Sequence, residues 1–427
     1  MSYEGIHIYP ERITVCLLFI FSCVNSVMLI ASTILVSLYL VYKNPNGSGQ
    51  IKALLFITFR TVISQGLATG YELVSNFKWA VIIILSISTI LFKKNVHNST
   101  ASIFIKLIIG FTLFVIALSL NNSDYPTVSI FRVISWALVF CAIIIGEKNN
   151  PKYNWVKEIV FYLNSIVLVS PLAVPLGIAY LRNGRGFQGI VNHPNMLGII
   201  ILLTFSLNLY LYQNDKKNTR IIIMLLSLIE GVLSQSRSGV LGIVLVFALH
   251  VFLTETSKKK KAIILFVLLC IIAWIIGGGL EKAITKFIYK GHESLLFSRE
   301  GQINRYLDRF YSNRLFGSGF MAPSNNHIKN YSLLFELSVE PGNIGIMLIG
   351  DIGIIGTILF IIPFLFLLFN IDRTKLTLYF VPFVASLGEM MFFSTNNIAI
   401  VYYVIFAFCC ITATKRGSAQ ESSLNEM

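Results

Sequence analysis

Arginine side chains occur in three polar segments of a chain that is otherwise strongly apolar. The first two segments contain Arg185 and Arg237, and a long third segment contains Arg299, Arg305 and Arg309. An arginine presents a planar fork of hydrogen-bond donors that suits a pair of phosphate oxygens. The three segments therefore indicate recognition of a phosphate or diphosphate group.

The first segment, residues 185–198, is rich in turn-forming residues and leads directly into an apolar run that begins near Pro194. We expect Asn192 or His193 to cap the helix that starts there, with Pro194 in its first turn. The exposed backbone amides at the start of a helix bind anions. This segment thus predicts a second contribution to an anion site.

The long third segment, residues 280–343, also contains groups that could move a proton. Arg305 and Arg309 are spaced by four residues, which places them on one face of a predicted helix. A diphosphate is a good leaving group once its charge is stabilised, so arginines can supply much of the catalysis. A hydroxyl group that displaces the diphosphate, such as a sugar hydroxyl, also needs a proton acceptor. The candidates for that role are His327, Glu336 and Glu340.

The composition restricts the class of protein that can carry these segments. Of 427 residues, 55% are hydrophobic and 13% are charged, whereas soluble proteins are about 25% charged. A soluble enzyme is excluded, and long continuous apolar runs are not the pattern of a β-barrel. We predict an all-α polytopic membrane protein.

The net charge of +14 is scattered between apolar runs, so no nucleic-acid partner is expected. The six cysteines form no Cys-x-x-Cys pair, so neither a metal nor another cofactor is expected.

The apolar runs predict about 13 to 14 transmembrane helices with one large extracytoplasmic loop containing helices. The first run is long enough for two short spans that break near Asn25. The predicted spans are 13–42, 51–66, 77–92, 102–121, 127–146, 156–180, 194–213, 219–234, 238–254, 262–279, 353–370, 376–392 and 397–413. The predicted regions are N-terminal helices over 1–180, helices with outward turns over 181–279, the large loop over 280–343, C-terminal helices over 344–413 and a cytoplasmic tail over 414–427.

Lysine and arginine in the short loops predict the orientation of the chain. Alternate loops carry 18 of them, including the run Lys258–Lys261, and the remaining short loops carry four. Basic short loops stay in the cytoplasm. The three arginine-bearing segments are therefore all expected on the extracytoplasmic side. We predict a multi-pass membrane protein with an active site outside the cytoplasm.

The order of these motifs resembles the O-antigen ligase and O-antigen polymerase superfamily of GT-C type membrane glycosyltransferases. The resemblance covers about 180–360 and rests on Phe-Gln-Gly followed by His-Pro-Asn, on Ser-Arg-Ser-Gly, and on Gly-Ser-Gly-Phe followed by Gly-Asp-Ile-Gly. Two departures stand out. The arginine before Phe-Gln-Gly is one position early, at Arg185, and Glu340 lies where ligases have a histidine. The second departure favours the polymerase branch.

The resemblance implies an inverting, metal-independent transfer of a glycan from undecaprenyl diphosphate onto a lipid-linked repeat unit, in O-antigen, capsule or exopolysaccharide synthesis. The partners implied are that lipid-linked oligosaccharide, the lipid bilayer and a chain-length regulator protein. The implied catalytic residues are Glu340, Arg237 and Arg299. Among the predicted substrate-binding residues, Gln188 and Asn195 match the family's first motif. Residue type and position add Arg185, His193, Arg305, Arg309 and His327. The resemblance also implies a location in the bacterial inner (plasma) membrane, with an active site that faces the periplasm or the outside.

Two alternatives are compatible with the same residues. An O-antigen ligase would transfer the glycan to a lipid A core and use His327 as its base. A transporter of lipid-linked oligosaccharides would use charges within the membrane. The charges available for that purpose are Arg60, Lys106, Arg132, Glu230 and Glu389.

Overall fold

The computed structural model describes residues 10–64, 67, 71–92, 98–181, 184, 186–254, 262, 300–322 and 342–413. Fourteen α-helices lie within these residues and are numbered here in chain order. They are α1 (Pro10–Phe21), α2 (Ser26–Lys43), α3 (Ser48–Val62), α4 (Tyr71–Leu91), α5 (Ser99–Asn122), α6 (Pro126–Lys148), α7 (Trp155–Val169), α8 (Pro194–Asp215), α9 (Asn218–Ser234), α10 (Arg237–Thr254), α11 (Glu300–Ser312), α12 (Ile344–Asn370), α13 (Leu376–Gly388) and α14 (Ala399–Ile411).

The helices confirm the predicted all-α polytopic membrane fold. Across the described residues there is no β-strand, only two isolated bridges, and seven helices are long and apolar enough to cross a membrane. Those seven are α2, α5, α6, α7 with its 3-10 extension, α8, α10 and α12. The first apolar run forms two helices, because the Asn25 side chain accepts a hydrogen bond from Met28 N at 2.8 Å and begins α2. The predicted span 262–279 and the run Lys258–Lys261 lie outside the described residues.

Aromatic side chains pack the centre of the helix bundle. Trp136 and Phe140 of α6 are 5.7 Å apart between ring centroids, and Phe140 lies 6.0 Å from Phe406 of α14. Phe364 of α12 lies 5.1 Å from Phe406. Such pairs each contribute about 0.5–1.5 kcal/mol beyond the burial of their area. They hold α6, α12 and α14 in one register, which fixes the loops at the ends of these helices.

One end of the bundle gathers the loops for which the sequence predicts a cytoplasmic location. Hydrogen bonds join loops that are far apart in sequence. They run from Asn150 Nδ2 to Asn46 O at 2.9 Å, from Asn98 Nδ2 to Ile411 O at 3.1 Å and from Lys375 Nζ to Thr412 O at 2.9 Å. We call this end of the bundle the basic end.

The opposite end gathers the loops for which the sequence predicts an extracytoplasmic location. The bonds there run from Ser64 N to Ile190 O at 2.8 Å, from Phe187 N to Leu233 O at 3.0 Å and from Asn343 Nδ2 to Leu387 O at 3.1 Å. The alternation inferred from charge therefore matches the two ends of the bundle. That this second end faces outward stays a prediction.

A cysteine substitution at each end tests the orientation. In intact spheroplasts, the Ser324→Cys variant should react with an impermeant thiol reagent, because the sequence predicts that the large loop lies outside. The matched control is Thr374→Cys, at an exposed position of the basic end, which should react only after lysis. The reverse pattern, with Ser324→Cys labelled only after lysis, would invert the whole topology.

Helices α13 and α14 form a short hairpin with a largely buried turn. Each has 13 residues, or about 20 Å, whereas the hydrocarbon layer is about 30 Å thick. Residues 389–398 between them are not helical, and most are buried. Irregular backbone at such depth must be enclosed by protein or line a water-filled cavity. The turn therefore forms a buried surface, called here the floor, against which the other segments at this end of the bundle pack.

Candidate active site

The loop that contains the Phe-Gln-Gly motif is pinned by backbone hydrogen bonds on three sides. Phe187 N donates to Leu233 O of α9 at 3.0 Å, and Gln188 N donates to Ala179 O at 2.7 Å. Asn192 N donates to Val62 O at the end of α3 at 2.9 Å. The loop is thus connected to α3, to α9 and to the bend at Ala179 before it leads into α8.

The start of α8 follows the sequence prediction. His193 has extended backbone angles, and its Nδ1 accepts a hydrogen bond from Asn195 N at 3.1 Å, which makes it the cap residue. Pro194 occupies the first turn. The histidine satisfies one of the free amides at this terminus. The positive end of the helix dipole lies at the same terminus.

The Ser-Arg-Ser-Gly turn packs directly against the first turns of α8. Gly198 and Gly239 are in backbone contact: a Cβ on Gly239 would lie 2.7 Å from Gly198 O and 2.8 Å from Gly198 Cα. Ser236 packs over Gly198, and its Oγ accepts a hydrogen bond from Gly239 N at 3.4 Å at the start of α10. Arg237 is the first residue of α10 and is half-buried. The close crossing of two glycines therefore places Arg237 beside the Asn195 turn.

Substitution of Gly239 should separate these two helix starts. In Gly239→Ala the new methyl group meets backbone atoms that cannot rotate away, and overpacking of this kind costs about 1–3 kcal/mol. We expect a lower unfolding temperature in detergent and reduced enzymatic output per folded molecule. The control is Gly110→Ala in α5, where a Cβ would have no atom within 4 Å. Equal behaviour of the two variants would show that the crossing does not matter.

A carboxylate from the α13–α14 turn completes this group. Glu389 Oε1 accepts a hydrogen bond from Asn195 Nδ2 at 2.8 Å, although the two residues are 194 positions apart. The preceding Gly388 packs against Ser238, which leaves no room there for a side chain. Glu389 therefore lies at the junction of α8, α10 and α13.

The start of α12 joins the same junction. Asn343 Oδ1 accepts hydrogen bonds from Gly345 N at 2.8 Å and Ile346 N at 3.3 Å, and its Nδ2 donates to Leu387 O at 3.1 Å. Three helix starts, those of α8, α10 and α12, thus meet around the end of α13. Their dipoles and Arg237 favour an anion, and Glu389 supplies a hydrogen-bond acceptor. We call this group the junction site.

The large loop forms a second cluster that rests on a break in α12. Gly353 has φ 65° and ψ −170°, which interrupts the helix, and a Cβ on it would collide with the backbone of Leu315. Gly319 N donates to Asp351 O at 2.9 Å, and Met321 N donates to Asp351 Oδ2 at 2.7 Å. The Gly-Ser-Gly-Phe and Gly-Asp-Ile-Gly motifs are therefore two halves of one docking contact.

Arg309 of α11 contributes an ion pair to this cluster. Its Nη1 lies 2.8 Å from Asp351 Oδ1, and the Asp351 side chain has no exposed surface. Tyr306 lies beneath Arg309, 5.7 Å from guanidinium carbon to ring centroid. Burial, together with the nearby negative charge of Asp351, raises the pKa of the Tyr306 hydroxyl well above its usual value. The pair fixes α11 to α12.

Removal of Asp351 should release this loop. In Asp351→Ala the Arg309 cation keeps its largely buried position without this partner, and breaking a buried pair costs about 3–5 kcal/mol. We expect faster proteolytic cleavage between α11 and α12 and a lower unfolding temperature. The control is Asp372→Ala, which breaks a more exposed pair with Lys375 worth about 0.2–1 kcal/mol. Unchanged proteolysis of the Asp351 variant would exclude the docking role.

The structure brings together some of the predicted residues and gives others a different task. His193 and Asn195 lie at the start of α8, and Arg237 lies at the start of α10, which is in backbone contact with the first turns of α8. Gln188 supports the loop, since its Nε2 donates to Ile178 O at 3.0 Å. The helix predicted around Arg305 and Arg309 is present, but Arg305 is exposed and donates to Gly301 O within α11. Five predicted residues lie outside the described part of the chain: Arg185, Arg299, His327, Glu336 and Glu340.

Three important residues were not assigned to the site by the sequence analysis: Glu389, Asn343 and Asp351. The sequence analysis includes Asp351 only within the Gly-Asp-Ile-Gly motif and residue 343 only as the end of the long segment. It gives Glu389 only as one of the charges within the membrane that a transporter would use. An ionisable residue within a membrane segment is often functional, and that signal could have pointed to Glu389.

A comparison with protein families supports the assignment suggested by the motifs. Residues 222–361 match the family model described as O-antigen ligase. This segment carries an O-antigen ligase-type domain. It covers about a third of the chain and runs from α9 into α12, so it includes the Arg237 turn and the large loop. The match confirms the resemblance to the O-antigen ligase and polymerase superfamily. No curated protein matches the chain.

Proposed function

We propose that this protein is a polysaccharide polymerase that transfers a growing glycan from undecaprenyl diphosphate onto a lipid-linked repeat unit. The observation that carries the proposal is the junction site: Arg237 and three helix starts lie around Glu389 and Asn195. The O-antigen ligase-type segment supports a membrane glycosyltransferase, and the polymerase assignment rests on Glu340 in place of the ligase histidine.

The donor is bound through its diphosphate. Arg237 and the amide-rich helix starts attract the phosphate oxygens, and Arg299 and Arg185 are proposed to reach the same group. As the bond from the anomeric carbon to the diphosphate oxygen breaks, negative charge grows on the leaving diphosphate. Preorganised donors around that charge lower the barrier without further rearrangement. The remaining substrate contacts are proposed to come from His193, Asn195, Arg305 and His327, whereas Arg309 pairs with Asp351.

The acceptor is a sugar hydroxyl of a second lipid-linked unit. Its oxygen forms the new bond to the anomeric carbon from the face opposite the diphosphate, so the configuration inverts. The bonding electron pair leaves with undecaprenyl diphosphate, and the hydroxyl proton passes to a carboxylate, for which we propose Glu340. Glu389, held by Asn195, orients the acceptor at the floor of the site. No metal is required by this scheme, and activity should persist in EDTA.

The second candidate function is an O-antigen ligase, the function that the description of the matched family names. The chemistry at the donor is the same, but the acceptor is a lipid A core sugar and His327 takes the proton. The third candidate, a transporter, would move the lipid-linked oligosaccharide without breaking a bond.

Reconstitution separates these functions. The purified protein is placed in proteoliposomes with a defined undecaprenyl-diphosphate-linked repeat unit, and products are separated by size. A polymerase yields a ladder of longer glycans and releases undecaprenyl diphosphate. Product formation only when lipid A core is added would identify a ligase. Passage of intact substrate across the bilayer without a new product would identify a transporter and refute the polymerase.

A further inference from the structure

An exposed apolar patch follows α11 in the large loop. The patch consists of Tyr311, Leu315 and Phe316, whose exposed fractions are 61%, 53% and 39%. Leu315 and Phe316 lie in a turn that the Asp351 cluster holds in place. A rigidly held apolar surface of this kind normally contacts a partner.

The position of the patch along α12 indicates the level at which it lies. Ile354 N donates to Arg314 O at 2.9 Å, and Ile355 N donates to Leu315 O at 3.2 Å. From Ile354 to Asn370 at the basic end, α12 continues for roughly 17 residues, or about 25 Å. The hydrocarbon layer is about 30 Å thick. The patch is therefore level with the outer boundary of that layer.

The patch also continues a lipid-facing surface. Exposed apolar residues of α12 recur at the spacing of one helix face: Ile354, Ile358, Ile361 and Leu365 are each more than 40% exposed. In a helix of this length and apolarity, such a stripe faces lipid. Because the patch is bonded to the top of this stripe at Ile354, the lipid that covers the stripe also reaches the patch.

A positive charge lies beside the patch at the same level. Arg314 is exposed, and its guanidinium carbon lies 5.4 Å from the centroid of the Tyr311 ring. Aromatic rings with an apolar body and a polar tip occupy the boundary between lipid and water, and arginine at that level reaches lipid phosphates. The occupant that fits an apolar patch with a cationic rim is an anionic phospholipid.

We propose that Tyr311, Leu315 and Phe316 insert into the outer leaflet and that Arg314 binds the phosphates of anionic lipid headgroups. The patch then acts as a membrane anchor for the large loop, independently of the reaction that the protein catalyses. Through Asp351, the anchor would also hold α11 at a constant depth.

Spin labels on the full-length protein in vesicles test the insertion. The parent has alanine at Cys16, Cys23 and Cys270 and retains the buried Cys141, Cys409 and Cys410. In vesicles of equal parts phosphatidylcholine and phosphatidylglycerol, a label on Leu315→Cys should collide more often with oxygen than with a polar nickel chelate. The matched control is Asn304→Cys at an exposed position of α11, where the chelate should dominate.

Two results would overturn the anchor. A Leu315 label as accessible to the chelate as the Asn304 label would show that the patch faces water. A Leu315 label shielded from both reagents would show that protein covers the patch.

A second measurement tests the role of Arg314. Arg314→Gln should reduce the depth of the Leu315 label in vesicles that contain phosphatidylglycerol, and should leave it unchanged in phosphatidylcholine alone. An identical depth for both proteins in both lipids would refute binding of anionic headgroups.

Discussion

Arg237→Lys should lower polymer output roughly ten- to a hundred-fold while the protein accumulates at its normal level. Lysine keeps the charge but loses the planar fork that can bind two phosphate oxygens at once. Loss of one charge-assisted hydrogen bond in the transition state costs about 1.5–3 kcal/mol, which corresponds to that change in rate. The measurement is the amount of polymer per unit of membrane protein, read from a glycan gel and an immunoblot.

The same loss is expected for Arg299→Lys, because both arginines are proposed to bind the diphosphate. The control is Arg373→Lys, an exposed arginine at the basic end of the bundle, which should leave output unchanged. If Arg237→Lys and Arg299→Lys both keep full polymer output, the diphosphate is bound elsewhere. A loss in the control as well would indicate that membrane insertion, not the junction site, had been altered.

Glu340→Gln should stop polymerisation while the donor still binds. Glutamine keeps the shape of the side chain but cannot accept the proton from the attacking hydroxyl, and a positioned base contributes about 10²–10⁴-fold to the rate. Cells with this variant should accumulate the single-repeat lipid-linked unit. Residue 340 lies three positions before Asn343, which the structure places in hydrogen-bond contact with Leu387, two residues from Glu389.

Two parallel variants separate the candidate bases. Normal polymer from Glu340→Gln together with its loss from His327→Ala would move the proton acceptor to His327 and favour the ligase mechanism. Normal polymer from Glu340→Gln together with its loss from Glu389→Gln would instead assign the proton to Glu389. Donor binding is measured separately with a labelled undecaprenyl-diphosphate-linked glycan, so that a failure of binding is not mistaken for a failure of proton transfer.

Local sequence was sufficient to predict the helices because their signals lie within a few residues of one another. Each predicted apolar run within the described residues contains at least one helix. The start of α8 at Pro194 with His193 as its cap, and the break after the first short helix, also follow from neighbouring side chains. The lysine and arginine content of the loops likewise predicted which loops lie together at each end of the bundle.

Other features depended on residues that are far apart in the chain. The run 376–392 has the composition of a full span, yet α13 ends at Gly388 because the turn packs against Ser238 and Asn343 supports Leu387. Arg309 is of a residue type that commonly binds phosphate, but it pairs with the buried Asp351. In both cases tertiary contacts determine a role that local composition leaves open.

The sequence by itself determined the class of protein, the helices and the side chains available for chemistry, since hydrophobic runs and capping residues act locally. Only the tertiary structure decided which of those side chains meet. Asn195 and Glu389 are separated by 194 positions and come within 2.8 Å because glycine contacts let α8, α10 and α13 approach closely. Helix packing of this kind depends on the shapes of several surfaces together, and no pattern within one segment encodes it.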